Sequence, residues 1–297
     1  MKVSIVMPVY NRGFLLEKVL PHLTAQDYKD IEYVIVDDGS VDNTSEVVKK
    51  FDVKYIYQPN GGCASARNTG IKNASGDIIL FIDSDVFVPQ NLATIHAKYH
   101  SKFDKLIVQG QLVRIIDIND AFKTKFSIYD YSRSFFDTAN VSVKRKHLLE
   151  VDGFDEKSFK KGWEDLDIGL RLIKHGLKVK RIKEGYVWHY EGDYSKQSIM
   201  DFFEDRIREG RASVDFYRKY PTFEVKMMTM AGPFFLWLAD KIYNIEFYKS
   251  DKFFDKIYRL IEKNEKTKAI AKVRLAGYAF HFEGIKQRLK EDGFILP

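Results

Sequence analysis

Short apolar runs rich in β-branched and aromatic residues punctuate the first ninety positions, at residues 3–6, 33–36, 53–57 and 78–82. Runs of this length without polar alternation suit strands covered on both faces. Between them the period changes: Leu15, Leu16, Val19, Leu20 and Leu23 recur at helical spacing, and Asn43 with Glu46 forms an Asn-x-x-Glu helix start. Alternating strand and helix predicts right-handed crossovers and a parallel sheet, with ligands beyond the carboxyl ends of its strands. From residue 106 the order loosens. Strands are predicted at 106–111, 138–143, 178–182 and 186–190, with a short helix at 144–151. A further helix carries Leu166, Gly169, Leu170 and Ile173 and closes at Gly176. Beyond Ser195 the pattern is helical, with Met200, Phe203, Ile207, Gly210, Val214 and Tyr217 on one stripe. The expectation is an α/β domain over residues 1–195 and a helical extension over 196–297.

Composition changes this picture only at the margins. The 297 residues are 45% hydrophobic and 30% charged, which provides a sizeable core and argues against disorder. The single Cys63 excludes an internal disulfide framework and fits a reducing compartment, so the expected location is cytoplasmic. The apolar run at the amino terminus is too short for a signal-peptide core, and the longest apolar stretch, 227–239, is too short to span a bilayer. The formal charge of +6 is uneven: residues 241–274 hold ten Lys or Arg against five Asp or Glu. That segment reads either as a solvated helical face or as a peripheral contact with the anionic inner face of a membrane. No nucleic-acid-binding motif is present.

The polar loops of the first ninety residues all fall at strand ends: Pro8-Val9-Tyr10-Asn11, Asp37-Asp38-Gly39-Ser40, Asn60-Gly61-Gly62 and Asp83-Ser84-Asp85. They are expected to converge on one pocket. In an extended backbone Asp83 and Asp85 would point the same way, toward a hard divalent cation shared with substrate phosphates. The first strand–helix turn, Val9-Tyr10-Asn11-Arg12-Gly13, lacks the Gly-x-Gly-x-x-Gly of a dinucleotide fold, which disfavours a nicotinamide dehydrogenase. Further on, Trp163-Glu164-Asp165 opens an amphipathic helix, where two acids either favour the helix dipole or do chemistry.

The ordered set Pro8-Val9-Tyr10-Asn11, Val36-Asp37-Asp38-Gly39-Ser40-Val41-Asp42, Ala64-Ser65-Ala66-Arg67-Asn68-Thr69-Gly70, Asp83-Ser84-Asp85, Asn140, Gly153-Phe154, Trp163-Glu164-Asp165 and His189 resembles family 2 glycosyltransferases of the GT-A fold. The resemblance implies a mixed, mostly parallel central sheet flanked by helices, with a nucleotide-sugar donor half over 1–110 and an acceptor half over 111–195. It implies that Pro8 and Tyr10 line the base pocket, that Asp37 and Asp38 contact base or ribose, and that Arg67 meets base or phosphate oxygens. Ser84 and Asn140 belong to the same nucleotide-sugar set, and Trp163 would offer its face to a sugar ring. Asp85 would ligate Mn²⁺ or Mg²⁺, with His189 as a further ligand and Asp83 on the ribose or a metal-bound water. Asp165 would be the catalytic base and Glu164 would position acceptor or donor. The Trp-Glu-Asp helix with its following His also resembles the galactosyl- and N-acetylgalactosaminyltransferase branch.

The activity expected is metal-dependent, inverting transfer of a sugar from a nucleoside-diphosphate sugar, foremost a UDP-sugar, to an acceptor hydroxyl. A saccharide or glycolipid acceptor in cell-surface polysaccharide synthesis fits that reading. The alternatives are a sugar-1-phosphate nucleotidyltransferase, whose Gly-rich phosphate loop is missing after the first strand, and a non-catalytic nucleotide-sugar-binding protein.

Overall fold

A computed structural model describes residues 1–127, 130–132, 134–158 and 162–293. Two compact units emerge, one of Met1–Lys160 with Glu164–Glu191, the other of Lys161–Trp163 with Gly192–Pro297.

The first unit opens with β1 (Val3–Val9), α1 (Gly13–Leu23), β2 (Ile31–Asp37), α2 (Thr44–Val48), β3 (Lys54–Tyr57), α3 (Cys63–Asn73) and β4 (Ile78–Phe81). It continues through β5 (Val86–Phe87), α4 (Leu92–His100), β6 (Leu106–Gln109), β7 (Leu112–Ile115) and β8 (Val141–Lys144). After α5 (Arg145–Glu150) and α6 (Glu164–Lys174) come β9 (Lys178–Arg181) and β10 (Val187–Tyr190). Seven strands form the main sheet in the order β3-β2-β1-β4-β8-β6-β9. Only β8 runs against its neighbours, so the sheet is mixed and mostly parallel. A small second sheet orders β5-β10-β7.

The apolar runs fill both faces of the main sheet. Val3, Ile5, Met7 and Val9 pack with the leucines of α1, while Val6, Val34, Val36, Ile79 and Phe81 pack with Ala66 and Ile71 of α3 and Ile168 and Leu172 of α6. A strand buried on both faces cannot show polar alternation, which is why its sequence is a continuous apolar run. The expected strand at 138–143 begins later, at Val141, because Asn140 N–H donates to Asp137 O and closes a turn there.

The second unit holds α7 (Lys196–Lys219), α8 (Phe223–Thr229), α9 (Pro233–Ile242), α10 (Ile245–Lys249), α11 (Asp251–Glu262) and α12 (Lys266–Glu291). In α7 the buried stripe is Ile199, Phe203, Gly210, Ser213, Val214 and Phe216, with Phe203 stacked on Phe280 of α12. Gly210 and Gly284 let these two helices touch backbone to backbone. A Cβ on Gly210 would lie 1.9 Å from His281 O, and one on Gly284 2.0 Å from Ile207 O. Among the described residues no helix is long and apolar enough to cross a membrane.

Candidate active site

The parallel strands β1 to β4 deliver their following loops to one end of the sheet, and side chains staple those loops together. Asn11, in a left-handed backbone conformation at φ 50°, receives Val41 N–H on its side-chain oxygen and donates its own N–H to Ser40 Oγ at 2.8 Å. Asp37 accepts from Ser40 N–H at 2.8 Å and from the Tyr55 hydroxyl at 2.6 Å. Asp38 accepts from Gln58 Nε2 and from the N–H groups of Gly61 and Gly62, all within 2.9 Å. Gly62, at φ 87°, adopts the backbone that aims its N–H this way at little steric cost. Both acids are buried and hold the loops in shape. Pro8 lies near the end of β1, half-buried, and Tyr10 is exposed just beyond it.

The Asp-Ser-Asp segment is not extended. Strand β4 ends at Phe81, and Val86 N–H donates to Asp83 O at 3.2 Å, so Ser84 and Asp85 lie in a turn with Ser84 buried. The two acids therefore diverge, contrary to the extended geometry expected from alternation. Asp83 Oδ1 accepts from Arg67 Nη2 at 3.1 Å, whereas Asp85 Oδ1 stands 3.3 Å from His189 Nε2 on β10.

Arg67, on the first turns of α3, is the hub of the site. Its Nη1 also donates to Glu164 Oε1 and to Asp165 Oδ1, both at 3.2 Å, so one buried guanidinium meets three carboxylates, and its head lies 5.6 Å from the Phe154 ring. Burial works to lower its pKa, and Asp165, Asp83 and Glu164 more than offset this, keeping it charged. The second oxygen of Asp165 accepts from the Thr138 N–H at 3.1 Å and the Thr138 hydroxyl at 2.8 Å. Burial pushes the Asp165 carboxyl up to about 7 against the opposing pull of Arg67, with Glu164 and Asp83 adding to the rise. Burial also raises Asp83. A carboxylate poised near neutrality and held in a fixed orientation is suited to accepting a proton.

On the other side, among the described residues, neither Asp85 Oδ1 nor His189 Nδ1 has a hydrogen-bond partner, though both are buried. Burial would lower His189, yet Asp85 beside it drives it up to about 9. An oxygen and a nitrogen 3.3 Å apart match adjacent ligands of one octahedral cation, which at bond lengths near 2.1 Å are separated by about 3 Å. Asp85 and His189 therefore fit a divalent cation. Asp83 is turned toward Arg67 and is not paired with them.

Two expected contacts are corrected. Asn140 is fully buried; its Nδ2 donates to Gly185 O at 2.7 Å and its Oδ1 meets His96 Nε2 at 3.1 Å, so its side chain is occupied inside the fold and unavailable to a nucleotide sugar. Trp163 belongs to the helical unit, where its indole N–H donates to Glu209 O at 2.9 Å and its ring lies 4.9 Å from Phe216, leaving it 8% exposed. Its face is covered by packing. Sequence reasoning missed Thr138 and Gln58. Gln58 follows β3 at the same sheet end as the named loops and was accessible to that logic; Thr138 carries no spacing signal.

Similarity to known proteins agrees with this geometry. The model for glycosyl transferase family 2 matches residues 4–154, half of the chain. The chain belongs to glycosyl transferase family 2. A second model, described as N-terminal domain of galactosyltransferase, matches residues 120–193, which include the Glu164–Asp165 pair and His189. The uncharacterized glycosyltransferase EpsJ of Bacillus subtilis is 41% identical over 256 residues, covering 73% of this chain and 70% of EpsJ. Validoxylamine A glucosyltransferase of Streptomyces hygroscopicus is 29% identical over 263 residues, covering 74% of this chain, and the match spans 61% of that relative's length. The mannosyltransferase PcManGT of Pyrobaculum calidifontis, solved with GDP-mannose and Mn²⁺, superposes with a TM-score of 0.64 at 17% identity, covering 97% of this chain and 87% of that one. The architecture is the GT-A fold.

Proposed function

We propose that this chain is a metal-dependent, inverting glycosyltransferase that moves a sugar from a nucleoside-diphosphate sugar, foremost a UDP-sugar, to the hydroxyl of a saccharide or glycolipid acceptor in cell-surface polysaccharide synthesis. The observation that carries this reading is the Arg67 knot. It ties Asp83, two residues from Asp85, to Asp165 at the start of α6, so the expected cation side and the expected base lie in one cluster. In the proposed reaction Asp165 takes the acceptor proton as the acceptor oxygen attacks the anomeric carbon from the face opposite the nucleotide, so the configuration inverts. Glu164, whose Oε2 has no partner among the described residues, positions the acceptor. Asp85 and His189 would hold Mn²⁺ or Mg²⁺, which supplies positive charge to the departing diphosphate. The donor half is residues 1–110 and the acceptor half 111–195, with Tyr10 and Pro8 framing the base and the buried Asp37 and Asp38 holding the loops that shape its pocket.

The test is release of nucleoside diphosphate from UDP-, GDP- and dTDP-sugars, with and without saccharide acceptors, in Mn²⁺ and after chelation. Acceptor-stimulated, chelator-sensitive release with an inverted product supports the proposal. A retained configuration, or pyrophosphate-dependent release of sugar-1-phosphate, would sink it and, in the second case, favour the nucleotidyltransferase.

The peripheral membrane contact belongs to α9. The expected basic segment includes α11, whose apolar face, Phe253, Phe254 and Ile257, is buried, so its charged residues form a solvated helical face. In contrast α9 exposes Phe234, Trp237 and Ile242 by 65%, 54% and 59%, next to the exposed Lys241. An apolar stripe with a lysine beside it, on a unit with surplus positive charge, suits an anionic lipid surface. Co-sedimentation with phosphatidylglycerol vesicles should fall in Trp237→Glu; equal pelleting of the variant and the parent protein would dispose of the contact.

A further inference from the structure

A second cluster of ligating side chains lies at the opposite end of the main sheet. Strand β8 runs antiparallel to β4, with Val141 beside Phe81 and Lys144 beside Ile78, so α5, which follows Lys144, sits at the amino end of β4. The length of β4, about 10 Å of strand, separates α5 from Asp83. There His147 Nδ1 and His175 Nε2 converge on one oxygen, Glu150 Oε2, at 2.7 and 2.8 Å. The ligand atoms of the three residues all lie within 4.8 Å of one another.

The orientation of His147 is fixed from outside the cluster. Its Nε2 lies 3.2 Å from the backbone carbonyl of Asp104, which only accepts, so that nitrogen carries the hydrogen. In the neutral ring Nδ1 then presents its lone pair to a carboxylate oxygen, an arrangement that requires a positive centre between them. A proton is one such centre; a metal ion shared with His175 is the other. A histidine whose remote N–H is donated to a backbone carbonyl is also the usual arrangement for metal ligation.

We propose that His147, Glu150 and His175 form a second metal site, for a borderline divalent ion such as Zn²⁺, that clamps the end of α5 to the end of α6. Two imidazoles and a carboxylate are a zinc donor set, and soft or borderline ions prefer nitrogen donors where Mg²⁺ does not. Bonds of 2.0–2.1 Å separate tetrahedral ligands by about 3.3 Å, so the carboxylate must withdraw by about half an ångström. Glu150 and His175, with side chains 45% and 35% exposed, have room to do so and leave a fourth position open to water. His147, almost fully buried, is the fixed member.

The experiment uses the full chain, stripped with chelator and titrated with Zn²⁺ and Co²⁺, reading bound stoichiometry, the visible Co²⁺ spectrum and Tm. Asp85→Asn serves as the background that removes the nucleotide-side cation, so this test is independent of the proposed reaction. In that background one equivalent of Zn²⁺ should remain and raise Tm, Mg²⁺ should not, and adding His175→Ala should abolish both effects. Glu150→Gln, a surface change that keeps the fold if His147→Ala does not, should weaken Zn²⁺ binding about tenfold or more. In the Asp85-intact protein His175→Ala should transfer sugar normally. Retention of the Zn²⁺ equivalent in the double variant overturns the proposal. So does a Tm indifferent to Zn²⁺, which would identify the cluster as a proton-sharing network.

Discussion

The two sides of the candidate site solve the problem of buried charge differently. Around Arg67 the chain supplies its own counterion: one guanidinium meets Asp83, Glu164 and Asp165, and Thr138 donates twice to the last. Around Asp85 the near partner is His189, with Glu191 4.0 Å from its Nδ1, and among the described residues Asp85 Oδ1 and His189 Nδ1 lack hydrogen-bond partners. A carboxylate held by a guanidinium and two Thr138 donors is preorganised and can serve as a base without moving, even though Arg67 Nε and Glu164 Oε2 beside it have no hydrogen-bond partner among the described residues. A carboxylate beside an imidazole that can exchange its proton for a cation is built to receive something positive. The proposed division of labour follows from this contrast, with proton transfer on the Arg67 side and diphosphate neutralisation on the Asp85 side.

The contrast breaks if variants on the two sides look alike. The largest effect is expected from Asp165→Asn, which keeps the shape and the Thr138 contact but cannot take a proton. Turnover should fall about 10³- to 10⁴-fold with donor affinity within about twofold, measured by steady-state rates and by calorimetric donor titration. Undiminished turnover removes Asp165 from the base role.

Arg67→Met comes next. It leaves three carboxylates facing one another without a counterion, and breaking a buried ion network by removing one partner costs about 3–5 kcal/mol. Urea unfolding should show that loss, and a change below about 1 kcal/mol would mean that the acids repartner or take up protons freely. Asp85→Asn should sort to the other class. Donor binding in Mn²⁺ should weaken about 10²-fold, while stability should fall by less than in Arg67→Met because His189 can give up its proton once Asp85 no longer holds it. Equal donor affinity with and without Mn²⁺ in the parent protein would erase the distinction between the two sides.

What the sequence made legible follows the same division between apolar pattern and polar geometry. Strands β1, β2 and β4 were readable because their central residues are buried on both faces, and β3, the edge strand, because Tyr55, Ile56 and Tyr57 are strand-favouring types. Helix α4 was not, because its core positions include His96 and His100, which lie fully buried against Ser142 and Asn140 and break the apolar period. Strand β5 is two residues long, too short for periodicity to register, and only two residues separate β7 from the end of β6, so it was masked by the single strand expected at 106–111. At the site, residue types in order were enough to name Arg67, Asp83, Asp85, Asp165 and His189, yet their pairing was not readable, since it depends on a turn at Ser84 that sends the two acids to different partners. Asn140 and Trp163 show the converse limit. A motif position names a residue but not whether its polar atoms are already engaged by the fold.

The smallest expected effect tests how finely the Arg67 side is tuned. The Asp165 carboxyl is held up to about 7, so at lower pH it is protonated and cannot act as a base. Transfer should therefore rise about tenfold per unit as pH climbs toward 7 and level off above it. The Thr138 hydroxyl donates to the ionised carboxylate and so favours that form. Thr138→Val removes this donor while the Thr138 backbone N–H remains, and the loss of about 1 kcal/mol should move the inflection to higher pH by somewhat under one unit. At pH 9 the variant should match the parent rate; at pH 6 it should run several-fold slower, and Thr138→Ser should restore the parent profile. A merely structural role for Thr138 would lower the rate equally at every pH, leaving the inflection where it was. A shift to lower pH would mean that the hydroxyl had been stabilising the neutral acid, and Asp165 would then be better described as a donor of protons than as a base.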